Sequence, residues 1–167
     1  MDQRNFIPNK CSMGVMDGES DETYMDLALA EAKKAEAAGE VPVGAVIVAD
    51  GAVIGRGFNQ PISASDPTAH AEIVALREAA RNLGNYRLSK VTMYSTVEPC
   101  MMCAGAMIHA RIARLVFGTP DPKAGSAGSI YNVLTDPRMN HRVDVFSGVR
   151  ETECAALLRD FFLSRRA

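Results

Sequence analysis

EPCMMC, at residues 98–103, places two cysteines two positions apart at the start of an apolar run, on the first turn of a predicted helix. HAE, at residues 70–72, lies about thirty positions upstream, near the start of another predicted helix. Two thiolates and one imidazole are ligands that zinc prefers, and three protein ligands leave the fourth tetrahedral position to water. These motifs therefore predict a catalytic rather than a structural zinc site, with His70, Cys100 and Cys103 as ligands.

The two motifs are informative only together. A CxxC sequence alone also fits a redox dithiol, half of a structural zinc site or a buried helix. HxE followed by PCxxC is the established signature of zinc-dependent nucleobase deaminases, in which the glutamate is not a ligand. Zinc lowers the pKa of bound water from about 16 to about 7, and Glu72 is close enough in sequence to His70 to reach that water. Glu72 is therefore the predicted catalytic residue.

Further segments carry a more specific resemblance. They are VPVGAV (41–46), DPTAHAE (66–72), NYRL (85–88), EPCMMCAGAMIH (98–109), DPKAGSAGS (121–129) and NHRV (140–143). From about residue 21 to its C-terminus, the chain resembles the bacterial tRNA-specific adenosine deaminases of the cytidine-deaminase superfamily. The zinc motif is common to the superfamily, whereas the segments after residue 120 are those that resemble the tRNA enzymes.

The resemblance implies a reaction and a substrate. Glu72 would carry a proton from water to N1 of an adenine and would then protonate the leaving amine, so that C6 loses ammonia and inosine remains. The implied substrate is the wobble adenosine of a tRNA anticodon, most specifically an arginine tRNA with an ACG anticodon. Bases of a single-stranded anticodon loop can be splayed into pockets without melting a duplex. One zinc ion per subunit and a homodimer, with both subunits contacting tRNA, are also implied.

The resemblance also assigns substrate-binding residues. Asn59 would hydrogen-bond the target nucleotide, and the Ala71 backbone N–H would hold its base. The path of the neighbouring nucleotides would be lined by Asp121, Lys123, Asn140, His141 and Phe162.

Composition sets the broader class. The 167 residues carry a formal net charge of −2 and are 47% hydrophobic, which fits one globular domain and excludes a uniformly basic nucleic-acid binder. We expect a disordered lead at residues 1–20, without a signal sequence, and a deaminase domain at residues 21–167. No apolar run approaches the ~18 residues of a membrane span. Zinc thiolates suit a reducing cytoplasm, and neither a membrane nor DNA is an expected partner.

The predicted elements give the fold class. Helices are predicted over residues 21–38, 68–83, 100–110 and 151–166, and strands over 41–49, 53–58, 91–96, 114–118 and 143–146. An Asp-Gly pair joins the first two strands as a hairpin, and helices separate most of the later ones. We therefore predict an α/β protein, a three-layer α/β/α sandwich with a mixed five-stranded sheet flanked by helices. The resemblance makes this sandwich cytidine-deaminase-like.

Two rival functions remain at this point. A free nucleobase or nucleoside deaminase, of the guanine or cytosine type, would share the zinc site and differ around the pocket mouth. Residues 121–129 and 140–143 favour RNA over a free base. A non-catalytic zinc-stabilised subunit would be expected to lack the glutamate, and Glu72 is present.

Three side chains have less specific interpretations. Cys154 falls on the apolar stripe of the last helix and is predicted to be core. His109 lies near a helix C-terminus, where it would complement the dipole. Glu98 fits either a loop acid or a partner of the zinc site, and the sequence does not decide between them.

Overall fold

The computed structural model describes the backbone of residues 17–166 and the side chains of residues 21–166. The elements are α1 (Asp17–Ala37), β1 (Gly44–Ala49), β2 (Ala52–Phe58), α2 (Ala71–Leu83), β3 (Thr92–Val97), α3 (Met101–Ala110), β4 (Arg114–Thr119), β5 (Asp144–Ser147) and α4 (Glu151–Arg166). The predicted lead lies outside the described residues except for residues 17–20, which begin α1. Within residues 17–166, no helix is both long and apolar enough to cross a membrane.

The five strands form one mixed sheet in the order β2-β1-β3-β4-β5. β1 pairs antiparallel with β2 and β3, while β3–β4 and β4–β5 are parallel. Asp50 and Gly51 have φ angles of 48° and 79°, as a tight hairpin turn between β1 and β2 requires. The predicted mixed five-stranded sheet is therefore confirmed.

Alternate residues of the central strands face opposite helix layers, as a strand period of two dictates. Ile47, Met93 and Leu115 belong to the larger buried cluster, which includes residues of α2 and α3. Val46, Tyr94 and Val116 belong to a second cluster, which includes residues of α1 and α4. The predicted three-layer arrangement follows. Cys154 is in the second cluster and 1% exposed, which confirms its prediction as core.

Two glycines let helices approach the sheet closely. A Cβ atom at Gly44 in β1 would overlap the carbonyl oxygen of Ala28 and the backbone nitrogen of Ala32 in α1. A Cβ atom at Gly57 in β2 would overlap the Ala71 carbonyl oxygen at the start of α2. The second contact matters for function, because it places the N-terminus of α2 against the sheet.

A buried polar triad ties α1 to the sheet. Arg114 of β4 donates two hydrogen bonds to the Asp21 carboxylate, at 2.8 and 2.7 Å, and the Tyr94 hydroxyl donates a third at 2.7 Å. Burial acts to raise the pKa of Asp21, but these hydrogen bonds outweigh it, and the net pKa lies below its usual value.

This triad makes stability depend on pH. Because the folded-state pKa of Asp21 is below the value of about 3.9 in an unfolded chain, ionised Asp21 stabilises the fold above about pH 4. That contribution is lost as the pH falls through the folded-state pKa. We expect Asp21→Asn to lower the free energy of unfolding by about 1–3 kcal/mol at pH 7, and this difference to shrink towards pH 3. Urea unfolding at both pH values measures it.

The matched control is Asp50→Asn, in the exposed hairpin turn, which should leave stability nearly unchanged at either pH. A stability difference for Asp21→Asn that stayed constant from pH 7 to pH 3 would contradict the role given to the carboxylate.

Candidate active site

The three predicted zinc ligands lie at two helix N-termini on the same side of the sheet. His70 occupies the N-cap position of α2, and Cys100 occupies the N-cap position of α3. Cys103 follows three residues later on the first turn of α3, so its side chain lies on the same face as that of Cys100. The His70 Nδ1 atom is 3.6 Å from the Sγ atom of each cysteine. The structure therefore brings together three side chains from distant parts of the sequence.

These donor atoms fit a zinc ion. Zinc bonds of about 2.3 Å to sulfur and 2.0–2.1 Å to nitrogen, at tetrahedral angles, place nitrogen and sulfur about 3.6 Å apart. The two observed separations are both 3.6 Å. Among residues 21–166, this is the group of three potential metal ligands whose donor atoms all lie within 4.8 Å of one another. The residues present thus match zinc in donor type and in spacing, and they leave a fourth position for water.

The surroundings favour the thiolate form of Cys100. A hydrogen bond with the Cys103 thiol, opposed by burial and assisted by His70, lowers the pKa of Cys100 to about 4. Donation to Cys100, together with burial, raises the pKa of Cys103. The hydrogen bond to Cys100 outweighs burial and raises the pKa of His70. The positive end of the α3 dipole acts in the same direction on Cys100 and also favours its thiolate form.

Glu72 lies beside the ligand group on the first turn of α2 and is 4% exposed. Its Oε2 atom lies 3.6 Å from the Cys103 sulfur, whose one S–H hydrogen is shared between Glu72 and Cys100, and its Oε1 atom accepts a hydrogen bond from the Ser95 hydroxyl at 3.2 Å. Burial is the largest influence on this carboxyl and raises its pKa. A carboxyl with a raised pKa beside a metal site is suited to accept and return a proton.

Ser95 is a residue of the site that the sequence motifs did not single out. It lies on β3 and is completely buried, and its one hydroxyl hydrogen is shared between Glu72 Oε1 and the carbonyl oxygen of Val97, which is 2.8 Å from the hydroxyl oxygen. The sequence of β3, TMYSTV, also contains Thr92, Tyr94 and Thr96, so a hydroxyl on this strand did not single out Ser95. Its contact with Glu72 spans 23 positions, which no local pattern reveals.

Asn59 and Ala71 are adjacent in space. The Ala71 backbone N–H donates to the Asn59 Oδ1 atom at 2.9 Å, which joins the end of β2 to the first residue of α2. This hydrogen bond uses the same Ala71 N–H group that the resemblance assigns to the base of the target nucleotide. The roles of both residues toward a nucleotide stay predictions.

The remaining five residues of the predicted binding path fall into two groups. Asp121, Lys123 and Phe162 line one cavity of about 330 Å³ with Val97, the last residue of β3. This group lies at the end of the sheet where the chain leads into Cys100, so the structure brings it close to the ligand group.

Asn140 and His141 lie elsewhere in the protomer. Asn140 lines a cavity of about 490 Å³ near the C-terminal end of α3, and the His141 Nε2 atom donates to the Ile112 carbonyl oxygen at 2.7 Å. α3 has ten residues, and therefore a length of about 15 Å, between this end and the zinc ligands. The single chain does not bring these two residues together with the other predicted contacts.

The mixed sheet, the His-Cys-Cys group and the buried glutamate define a zinc-dependent deaminase of the cytidine-deaminase class. Residues 18–119 match the family described as the cytidine and deoxycytidylate deaminase zinc-binding region. Within this class the chain belongs to the tRNA-specific adenosine deaminase family. It is 55% identical to the tRNA-specific adenosine deaminase of Haemophilus influenzae, over 89% of this chain and 86% of that one. For the enzyme of Bacillus subtilis, the identity is 47%, over 87% and 91%.

Solved structures agree with this assignment. One, from work on A-to-I editing by tRNA deaminases at the wobble position of transfer RNA, superposes with a TM-score of 0.79 at 46% identity, covering 81% of this chain and 99% of that one. A guanine deaminase from Nitrosomonas europaea superposes with a TM-score of 0.73 at 21% identity, over 94% and 98% of the two chains. The second likeness shows the shared fold alone.

Zinc content tests the ligand set directly. We expect His70→Ala and Cys100→Ala to lose bound zinc, because each leaves two protein ligands. Cys154→Ala removes a buried thiol from the cluster on the α1 and α4 side of the sheet, away from the ligands, and should retain one equivalent of zinc. Glu72→Gln should retain one equivalent of zinc as well. Metal analysis of the purified proteins after dialysis measures this. Equal zinc content in His70→Ala and the unaltered protein would contradict the assignment.

Proposed function

We propose that this chain hydrolyses adenosine to inosine at the wobble position of a tRNA anticodon, with one zinc ion per subunit. The observation that carries the proposal is the His70, Cys100 and Cys103 group with Glu72 buried beside it. The substrate class comes from the membership of this chain in the tRNA-specific adenosine deaminase family. An arginine tRNA with an ACG anticodon is the specific substrate proposed. The reducing cytoplasm, where thiolates persist, is its proposed location.

The residues at the site divide the chemistry between them. Zinc, when held by the three ligands, supplies the Lewis acidity that makes hydroxide available at neutral pH. Glu72 accepts one proton from the attacking water and delivers it to N1 as the oxygen adds to C6, and it then carries the second proton, from the C6 hydroxyl, to the leaving amine. Water and adenosine thus give inosine and ammonia. Ser95 holds the Glu72 carboxylate through the 3.2 Å hydrogen bond.

The RNA is proposed to enter beside Asp121, Lys123 and Phe162. Lys123 offers a cation to a phosphate, and the Phe162 ring, 46% exposed, offers a face on which a splayed base can stack. Asn59 is proposed to hydrogen-bond the target nucleotide. This open, partly charged mouth suits an RNA loop better than a free base, which needs a closed pocket. The free-base alternative is therefore not favoured.

A homodimer is proposed through the outer face of α2 and α3. Met101, Met102 and Tyr86 are exposed there, and Ile73 and Ala106 line an adjoining cavity of about 380 Å³. Exposed apolar side chains beside an apolar cavity are typical of a protein interface. The cavity near Asn140 shares Tyr86 and His109 with this face. Pairing would therefore place Asn140 and His141 next to the partner, which is how both subunits could contact one tRNA.

Inosine formation on an anticodon stem-loop tests the activity. We expect the zinc-loaded protein to convert the wobble adenosine of the arginine stem-loop with an ACG anticodon, and to leave free guanine, adenosine and cytidine unchanged. Nucleoside analysis of the digested RNA measures the product. Glu72→Gln should keep zinc and lose about 10²- to 10⁴-fold in rate, because the proton carrier is gone. Ammonia from a free base, with the stem-loop untouched, would overturn the proposed substrate.

Sedimentation equilibrium tests the dimer. We expect a mass of twice the 18.0 kDa chain, and a shift towards the monomer for Ala106→Arg, because the new charge would lie in the apolar interface. Ala30→Arg, on the exposed side of α1 in the opposite layer, is the control that should remain dimeric. A monomeric unaltered protein would contradict the proposal.

A further inference from the structure

Glu98 is a buried carboxylate with an unusual set of partners. It directly follows β3, lies two positions before Cys100, and is 3% exposed. Its Oε2 atom accepts the Asp121 N–H at 2.9 Å, and its Oε1 atom accepts the N–H groups of Ala127 and Ser129 at 3.0 Å each. The Ser129 hydroxyl donates a fourth hydrogen bond, to Oε2. All four donors belong to the segment of residues 121–129, and none is a cation.

The segment wraps closely around this carboxylate. A Cβ atom at Gly125 would overlap the Glu98 carboxyl group, so only glycine allows the backbone to come this near. The Ser126 N–H also donates to the carbonyl oxygen of Pro99 at 2.8 Å. Residues 121–129 contain no helix or strand; their one β-bridge pairs Ala127 with Asn132. Their position therefore depends on residues 98 and 99.

This segment carries the groups proposed to meet RNA. Asp121 uses its Oδ1 atom to accept the N–H groups of Lys123 and Ala124 at 2.9 and 3.3 Å, which makes a tight turn. The turn presents Lys123 at the cavity that also contains Phe162. One carboxylate thus connects the strand that leads into Cys100 with the turn that holds Lys123.

We propose that Glu98 is the positioning residue for RNA recognition: it fixes residues 121–129 relative to the zinc ligands and so sets the affinity for the anticodon loop. This inference rests on the proposed function. Glu98 itself need not touch RNA, because it acts through the turn that holds Lys123.

The geometry requires a carboxylate at this position. Glutamine has one acceptor oxygen and an NH₂ group in place of the second, so its NH₂ group would face N–H donors. At least one buried donor of the segment would then lose its acceptor, which is costly in a buried site. Glu98→Gln therefore loosens the segment while keeping the size of the side chain.

A double-mutant cycle tests the inference. The parent protein is zinc-loaded Glu72→Gln, which binds without turnover, and the probe is the arginine anticodon stem-loop with an ACG anticodon. We expect Glu98→Gln to weaken binding about tenfold. Lys123→Ala should weaken binding several-fold in the parent but by less than twofold in the Glu98→Gln background, because Lys123 is no longer held in place. Fluorescence anisotropy gives the four dissociation constants, and metal analysis checks that each protein holds one zinc ion.

Glu40→Gln is the matched control. Glu40 is also a buried carboxylate, 1% exposed, but it accepts the N–H groups of Ile62 and Ser63, at 3.4 and 2.7 Å, from another segment. It should leave the effect of Lys123→Ala unchanged. Ser129→Ala removes one donor and provides a milder variant that should fold even if Glu98→Gln does not, with the same direction of coupling to Lys123.

The outcomes separate the two proposals. Additive effects of Glu98→Gln and Lys123→Ala, with additive effects also for Ser129→Ala, would overturn the positioning role while RNA binding by the parent stood. A parent that did not bind the stem-loop would contradict the proposed function itself, and the inference would fall with it.

Discussion

Two helices, α2 and α3, begin at the end of the sheet where β2 and β3 end. The proposed chemistry of this protein depends on how closely the first turns of these helices approach each other. The 3.6 Å separation between the His70 nitrogen and each cysteine sulfur exists only if α2 and α3 keep this relative position. Because Gly57 has no side chain, the first turn of α2 packs directly against β2. The hydrogen bond from the Ala71 N–H to Asn59 also ties α2 to the end of this strand. The core beneath both helices thus acts as the support that keeps three donors in place for a metal.

Three buried glutamates near this end of the sheet show how surroundings decide what one residue type does. Burial raises the pKa of Glu72, which faces a thiol and a hydroxyl, and this suits it to carry a proton. Burial also acts to raise the pKa of Glu40 and Glu98, but donors from their loops outweigh it and the net pKa of each is lowered. For Glu98 these donors stabilise the charge without a contribution from a cation, whereas the charge of Arg165 also helps to lower the pKa of Glu40. The first glutamate is the one proposed to carry the proton, and the other two accept hydrogen bonds from loops.

The ligand set and the layers could be predicted from sequence because both rest on local patterns. The HxE and PCxxC motifs identify the residues that supply the zinc-binding atoms. The two-residue alternation of side chains along the strands predicts which residues face each side of the sheet. The start of α2 was predicted at Thr68, whereas the helix begins at Ala71. The reason is the Asp66 carboxylate, which accepts the N–H and the hydroxyl of Thr68 and so holds a turn before the helix.

Contacts between distant positions could not be predicted. The hydrogen bonds of Ser95 to Glu72, and of Glu98 to residues 121–129, join residues 23 to 31 positions apart. The resemblance places Asn140 with Lys123 on one path, but within this chain the two residues line separate cavities. Their separation follows from the packing of the whole chain, which local patterns do not encode.

X-ray absorption spectroscopy at the zinc edge would test the central claim most directly. If His70, Cys100 and Cys103 hold a catalytic ion, the zinc-loaded protein should show two sulfur neighbours at about 2.3 Å and one imidazole nitrogen and one oxygen at about 2.0–2.1 Å. Four protein ligands with no oxygen neighbour, or a sulfur count other than two, would contradict an open catalytic site built from these three residues.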